Sequence, residues 1–231
     1  MSKQEKNTQH QSSSKKSVKY ELKQDERSVV KEPLLKYEAL HIDQSKRYSY
    51  ADYLSWTDDV RRELIDGFIY IMSAPILIHA FISNEINVLI SMFIRKRKGK
   101  CKVFHAPIDV RLPQNNETND TQIYDVVQPD ICVICDPSKL DARGCIGAPD
   151  LIVEVLSPST MKKDCNEKFN LYERAGVREY WIVDPKAQAV NIFLLQPNGK
   201  YDAGTVYESS QKAPVHIFEG LKIDLNELFV E

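Results

Sequence analysis

The sequence has almost no net charge, no long uninterrupted apolar run and no even set of cysteines. Its 231 residues carry 31 Lys and Arg against 33 Asp and Glu, a net charge of −2. So even a balance gives no global basic footprint for nucleic acid, though it leaves room for a local patch. No uninterrupted apolar stretch reaches the length of a bilayer crossing, so a spanning helix is not expected. The N-terminus is polar and lacks the apolar core of a secretion signal, which leads us to expect a cytoplasmic protein without membrane contact. Cys101, Cys132, Cys135, Cys145 and Cys165 are five in number and are expected to stay reduced in that compartment. Cys132-x-x-Cys135 has the spacing of a metal or redox pair. On a strand, however, residues three apart face opposite sides, so both read as core thiols. Internal repeats, phosphate-binding glycine loops, dinucleotide fingerprints and the serine-hydrolase elbow are also missing, which removes those reaction classes.

What remains is an ordinary globular composition, 42% hydrophobic and 28% charged, in a length that suits one domain. Residues 1–47 stand apart. They are rich in Gln, Ser and Lys and poor in large apolar side chains, and they show no period. They read as a disordered polar tail, with residues 48–231 as the folded domain.

Inside that domain a short helix is expected within 50–59. A hairpin follows over 62–71, with Asp66-Gly67 at its turn. An amphipathic helix over 78–97 has its apolar positions at Ile78, Phe81, Ile82, Ile86, Leu89, Ile90 and Phe93 and stops at Gly99. Strands are expected at 102–112, 124–135 and 150–156, a crossover helix over 161–175 ending at Gly176, then strands at 179–185 and 190–195. Residues 221–229 hold a last strand or short helix. The order implies an α/β (α+β) fold, a mixed β-sheet flanked by helices.

The chemistry-bearing feature is an acid inside an apolar strand: Leu151-Ile152-Val153-Glu154-Val155-Leu156. An ionised carboxylate buried there costs several kcal/mol unless a cation or metal compensates. Ser157-Pro158-Ser159-Thr160 ends the strand and offers helix caps. A second acid, Asp130, sits in the β-branched run Val126–Ile134. Two carboxylates on adjacent buried strands are a common cradle for a divalent cation. Asp150 is the wrong partner for Glu154. It starts the same strand, and four residues at about 3.3 Å each separate them by about 13 Å.

Several segments together resemble the Uma-two family, a bacterial restriction-endonuclease-like group within the PD-(D/E)XK nuclease superfamily. They are Val126–Asp130 (VVQPD), Gly147–Thr160 (GAPDLIVEVLSPST), Lys168–Tyr172 (KFNLY), Ala175–Pro185 (AGVREYWIVDP), Arg62–Gly67 (RELIDG) and His79. The resemblance implies a restriction-endonuclease-like fold, a DNA substrate and dependence on Mg2+, with Mn2+ as the substitute. It makes Asp130 and Glu154 the metal-holding acids. The superfamily pattern expects a lysine two residues after the second acid, where this chain has Leu156. The resemblance assigns that role to Lys168 on the following helix.

On a helical projection Lys168 falls on the inward arc with Cys165, Phe169 and Tyr172, while Asp164 lies at its edge. The plain alternative is an exposed Asp164–Lys168 pair. Glu63 is a secondary candidate as a further metal ligand, and His79 as a site residue or as a hydrogen-bonding residue at the helix start. Tyr172, Tyr180 and Trp181 read as core aromatics. The implied activity is DNA endonucleolysis, for which cutting both strands would favour a homodimer. A non-cleaving nucleic-acid-binding or regulatory module on the same fold is the alternative. A Lys168 that points to solvent would favour that module.

Overall fold

The computed structural model describes residues 40, 42–115, 117–157, 161 and 163–229. The expected disordered tail falls mostly outside these residues, as do the expected caps Ser159 and Thr160.

Helix α1, Tyr50–Ser55, opens on a capping box. Ser49 accepts from the Asp52 amide, and the Asp52 carboxylate accepts from the Ser49 amide. Strands β1 (Arg62–Ile65) and β2 (Phe68–Ile71) form the expected hairpin. Asp66 and Gly67 turn it with φ of 52° and 78°, the left-handed pair that Asp-Gly supplies most readily.

Helix α2 runs from Leu77 to Lys96. Its left-handed terminator is Lys98, φ 51°, one residue before the expected glycine. By length and composition α2 is apolar enough to cross a membrane, against the expectation from uninterrupted runs. Ser, Asn and His break the run yet weigh little in mean hydropathy. Its inner face, His79, Ile82, Ser83, Ile86, Ile90 and Ile94, is buried in the domain.

The next strands are β3 (Lys102–His105), β4 (Val110–Arg111), β5 (Val126–Val127), β6 (Ile131–Ile134), β7 (Leu140–Asp141), β8 (Gly144–Ile146) and β9 (Leu151–Val155). A π-helical turn, Lys163–Lys168, then feeds α3, Phe169–Ala175. Gly176 closes α3 at φ 87°. Strands β10 (Glu179–Asp184), β11 (Ala189–Leu194), β12 (Thr205–Glu208), β13 (Lys212–Pro214) and β14 (Lys222–Asp224) lead to α4, Leu225–Leu228.

The expected mixed sheet is present twice. One sheet has the order β2-β1-β5-β4-β8-β7 and the other β12-β11-β10-β9-β6-β3; β13 and β14 pair separately. Each large sheet contains one parallel pair, β4–β8 or β9–β10. Two expected strands are corrected by this doubling. Residues 102–112 break after His105, and 124–135 break around Pro129, so β3 and β6 lie in one sheet and β4 and β5 in the other. Proline has no amide hydrogen to give to a ladder, so Pro107 and Pro129 mark the breaks. Asp130 therefore sits at a corner between two sheets, not inside one strand.

Strand β9 is central and buried along its whole length. Its odd-numbered residues, Leu151, Val153 and Val155, pack with α2 and with α4. Ile152 and Leu156 face the first sheet and α3, and alternation puts Glu154 on that same side.

The cysteine expectation is corrected in part. Cys101 and Cys135 are disulfide-bonded. The β3–β6 register places Lys102 opposite Ile134, so the next pair outward is Cys101 and Cys135. Cys132, Cys145 and Cys165 are free. As expected for a strand, Cys132 and Cys135 pack into different clusters.

Candidate active site

Lys168 is buried, 2% exposed. The exposed-pair alternative therefore does not describe it. Its Nζ lies 2.7 Å from Glu154 Oε1, 2.8 Å from Glu63 Oε1 and 3.7 Å from Asp164 Oδ1. The elements explain the meeting. Glu154 projects from β9 towards α3, Glu63 comes from β1 of the facing sheet, and the π turn delivers Lys168 between them. A π turn uses more residues per turn than an α-helix. It swings Asp164 inward from the edge position that an ideal projection gives it, and Asp164 is buried as well.

Three further residues complete the cluster. Tyr172 Oη donates to Glu154 Oε1 at 2.6 Å. Lys163 Nζ donates to Glu63 Oε2 at 2.6 Å. Tyr180 Oη donates to the Asp164 carbonyl at 3.0 Å. Reading Tyr172 as a core aromatic missed its hydroxyl. The available signal was the spacing of four in Asp164, Lys168 and Tyr172, which lines the three along one helical face.

Asp130 lies beside this group at the sheet corner. Its Oδ2 accepts from the Val155 amide at 2.8 Å, so it joins the backbone one residue beyond Glu154. His79 Nε2 is 3.0 Å from the same oxygen. The N-cap of α2 is Ile76, without a side-chain cap bond. His79 thus serves Asp130 rather than the helix start. Asp150 stands away from the cluster. It accepts from the Cys135 amide and pairs with Arg178, a strand-entry role.

Glu63 also accepts from the Gln128 amide at 2.9 Å. The Gln128 side chain reaches the other way, to Asp109, Tyr53 and Arg61. It lines a cavity of about 640 Å³ with Phe104, Ile108 and Arg143. That cavity is open and lies across Gln128 from the buried carboxylates, so its size does not make it the reaction centre.

The electrostatics are unbalanced. Burial pushes the Glu154 carboxyl up; Lys168 opposes this, and Asp164, Asp130 and Glu63 push it further. Burial acts on Glu63 in the same direction, but Lys168 and Lys163 override it and hold that carboxyl below its usual range. Burial disfavours the Lys168 ammonium, yet Glu154, Glu63 and Asp164 hold its pKa well above normal. His79 behaves alike: burial works against its charge, and the bond to Asp130 raises its pKa overall. Four acids, Glu63, Asp130, Glu154 and Asp164, thus surround two lysines and one imidazole.

An all-oxygen donor set short of positive charge suits a hard divalent cation. Among the described residues no three His, Cys, Asp or Glu side chains converge as a ready cage. Magnesium would need only one or two of these carboxylates, its remaining positions being filled by water and substrate phosphates.

The chain is similar to known proteins. A family model described as "Putative restriction endonuclease", Uma2, matches residues 50–226. Uncharacterized protein slr1290 of Synechocystis sp. is 29% identical over 153 residues, which is 65% of this chain and 75% of that protein. A crystal structure of a "putative nuclease belonging to DUF820" from Anabaena variabilis superposes with a TM-score of 0.63 at 20% identity. The match covers 78% of this chain and 97% of that one, a likeness of fold.

Proposed function

This chain belongs to the Uma2 family, and from that membership we propose that it is a magnesium-dependent endonuclease hydrolysing phosphodiester bonds of DNA. The observation that carries the reading is the buried Lys168 ammonium, held between Glu154 and Glu63 although Leu156 occupies the superfamily's lysine position. A lysine turned to solvent would have favoured a binding module; this one faces the acids.

Asp130 and Glu154 would hold the metal, with Glu63 as the further oxygen donor. When bound, the cation polarises the phosphate and makes its water a stronger nucleophile. The protein's own groups do the rest. Lys168 supplies a fixed positive charge against the charge that builds on the phosphoryl oxygens, and it orients the attacking water. Tyr172 fixes the Glu154 carboxylate. His79 and the Val155 amide fix Asp130. Lys163 neutralises the outer oxygen of Glu63.

The deciding experiment is cleavage of plasmid and single-stranded DNA with magnesium, manganese or EDTA, beside Glu154→Ala. Cutting that needs a divalent cation and vanishes in the variant is expected. EDTA-resistant cutting would refute the metal, and no cutting of any nucleic acid would return the fold to a binding role.

A further inference from the structure

Helix α2 carries two apolar faces. The inner one packs in the core and includes Ile82, Ile86, Ile90 and Ile94. The outer one is Leu77, Phe81, Val88 and Met92, exposed at 87%, 42%, 38% and 62%. At 100° per residue these four fall within about 60° of arc, nearly opposite the buried face. Nothing in the core needs apolar side chains there, and four of them on one exposed arc mark a contact.

The spacing of the stripe identifies the contact. Positions 77, 81, 88 and 92 are symmetric about the point between Asn84 and Glu85. If a second α2 lies antiparallel across this face, Leu77 meets Met92 of the other copy and Phe81 meets Val88. The reverse contacts follow automatically. Residue i touching j while j touches i is the signature of a twofold, isologous interface. Asn84 and Glu85 flank the axis, where the Asn84 amide can donate to the Glu85 carboxylate across it.

Charge selects the same direction. Arg95, Lys96, Arg97 and Lys98 crowd one end of the helix. A parallel pair would stack the two basic clusters, whereas the antiparallel pair holds them at opposite ends and opposes the helix dipoles favourably. The stripe is about 22 Å long at 1.5 Å per residue. One helix pair of that length is at the small end of stable interfaces, so the dimer is reversible.

We propose that α2 is the dimerisation element of this protein, pairing antiparallel with a second copy through Leu77, Phe81, Val88 and Met92. The proposal does not depend on the nuclease reading. It is tested by mass and by register, not by cleavage.

Sedimentation velocity of the full chain over a concentration series should show 26.6 kDa moving towards twice that, with a Kd in the micromolar range. Phe81→Glu and Met92→Glu should each weaken association by about tenfold or more, leaving the melting temperature unchanged at concentrations well below the Kd, where the chain is monomeric. In a Cys165→Ser background, Phe81→Cys chains mixed with Val88→Cys chains should cross-link, and Phe81→Cys alone should not. A monomer at every concentration, a dimer indifferent to Phe81→Glu, or self-cross-linking of Phe81→Cys would each overturn the proposal. So would a monomer that pellets with anionic vesicles through the same residues, which would make the stripe a lipid-facing surface.

Discussion

Lys168 shows how one side chain can be structural and chemical together. Its ammonium is the counter-ion for two carboxylates buried with it, and breaking such a group leaves charge in a low-dielectric interior. Lys168→Met should therefore lower the unfolding free energy by about 3–5 kcal/mol without metal. It should also cut cleavage by about 10²–10³-fold. Added magnesium should restore part of the lost stability, because an ion that binds only the folded state stabilises it. Asp164→Asn is the milder control, since that oxygen is 3.7 Å away. Cleavage by Lys168→Met at full rate would remove the lysine from the mechanism. Tyr172→Phe deletes only the 2.6 Å bond to Glu154. It should cost about 1.5–3 kcal/mol, as for a hydrogen bond to a charged group, with a smaller loss of rate than Lys168→Met. Urea titrations beside a plasmid assay separate the two.

Elements matter here through their irregular parts. The buried Asp125 accepts from the Asp66 amide at 2.6 Å and from Arg174 at 2.9 Å. It ties the β1–β2 turn to α3, the helix that continues from Lys168. Asp125→Ala should cost about 1–3 kcal/mol by leaving the Asp66 amide unsatisfied. It should slow cleavage while keeping the magnesium-induced rise in melting temperature; an unchanged rate would show that α3 is positioned by packing alone. The regular elements were legible in the sequence because periodicity and caps are local. The Asp-Gly hairpin, β9, the glycine stop of α3 and most of the core face of α2 follow from neighbours a few residues apart; Ile78 and Phe81, grouped with that face by periodicity, are exposed at 37% and 42%. The breaks at Pro107 and Pro129 were legible as prolines but not as a change of sheet, which depends on distant partners. The π turn was invisible because projection assumes 100° per residue, and Asp164 was misplaced at the edge for that reason. The Cys101–Cys135 bond needed the β3–β6 register, which no local pattern gives.

At the scale of the molecule, the proposed metal site would make magnesium a fold-stabilising ligand. Magnesium should raise the melting temperature of the wild-type chain, and Asp130→Asn combined with Glu154→Gln should abolish the rise. A shift that persists in the double variant would place the ion elsewhere. Packing reaches back to Ile42, which joins the Tyr50 cluster, and Arg47 pairs with Asp66. A chain beginning at Leu40 should therefore melt cooperatively at an unchanged temperature; a lower midpoint would give residues 1–39 a share in the fold.

The bend at Pro107 and Pro129 also governs how the chain can assemble. β3–β6 and β4–β5 are one antiparallel ribbon folded over the corner. The register sum shifts from 236 in the β3–β6 pairs to 237 in the β4–β5 pairs, as in Lys102↔Ile134 and Val110↔Val127. One extra residue on the 106–109 side thus sets the bend, as in a bulge. A ribbon shared by both layers couples their folding, since slipping it by one residue would invert its side chains in both sheets at once. The amides of Val127 and Val133 should consequently exchange with solvent through one common opening. Glu63 and Glu154, contributed by opposite layers and both bound to Lys168, should then leave water together, in the same step that brings Lys168 between them.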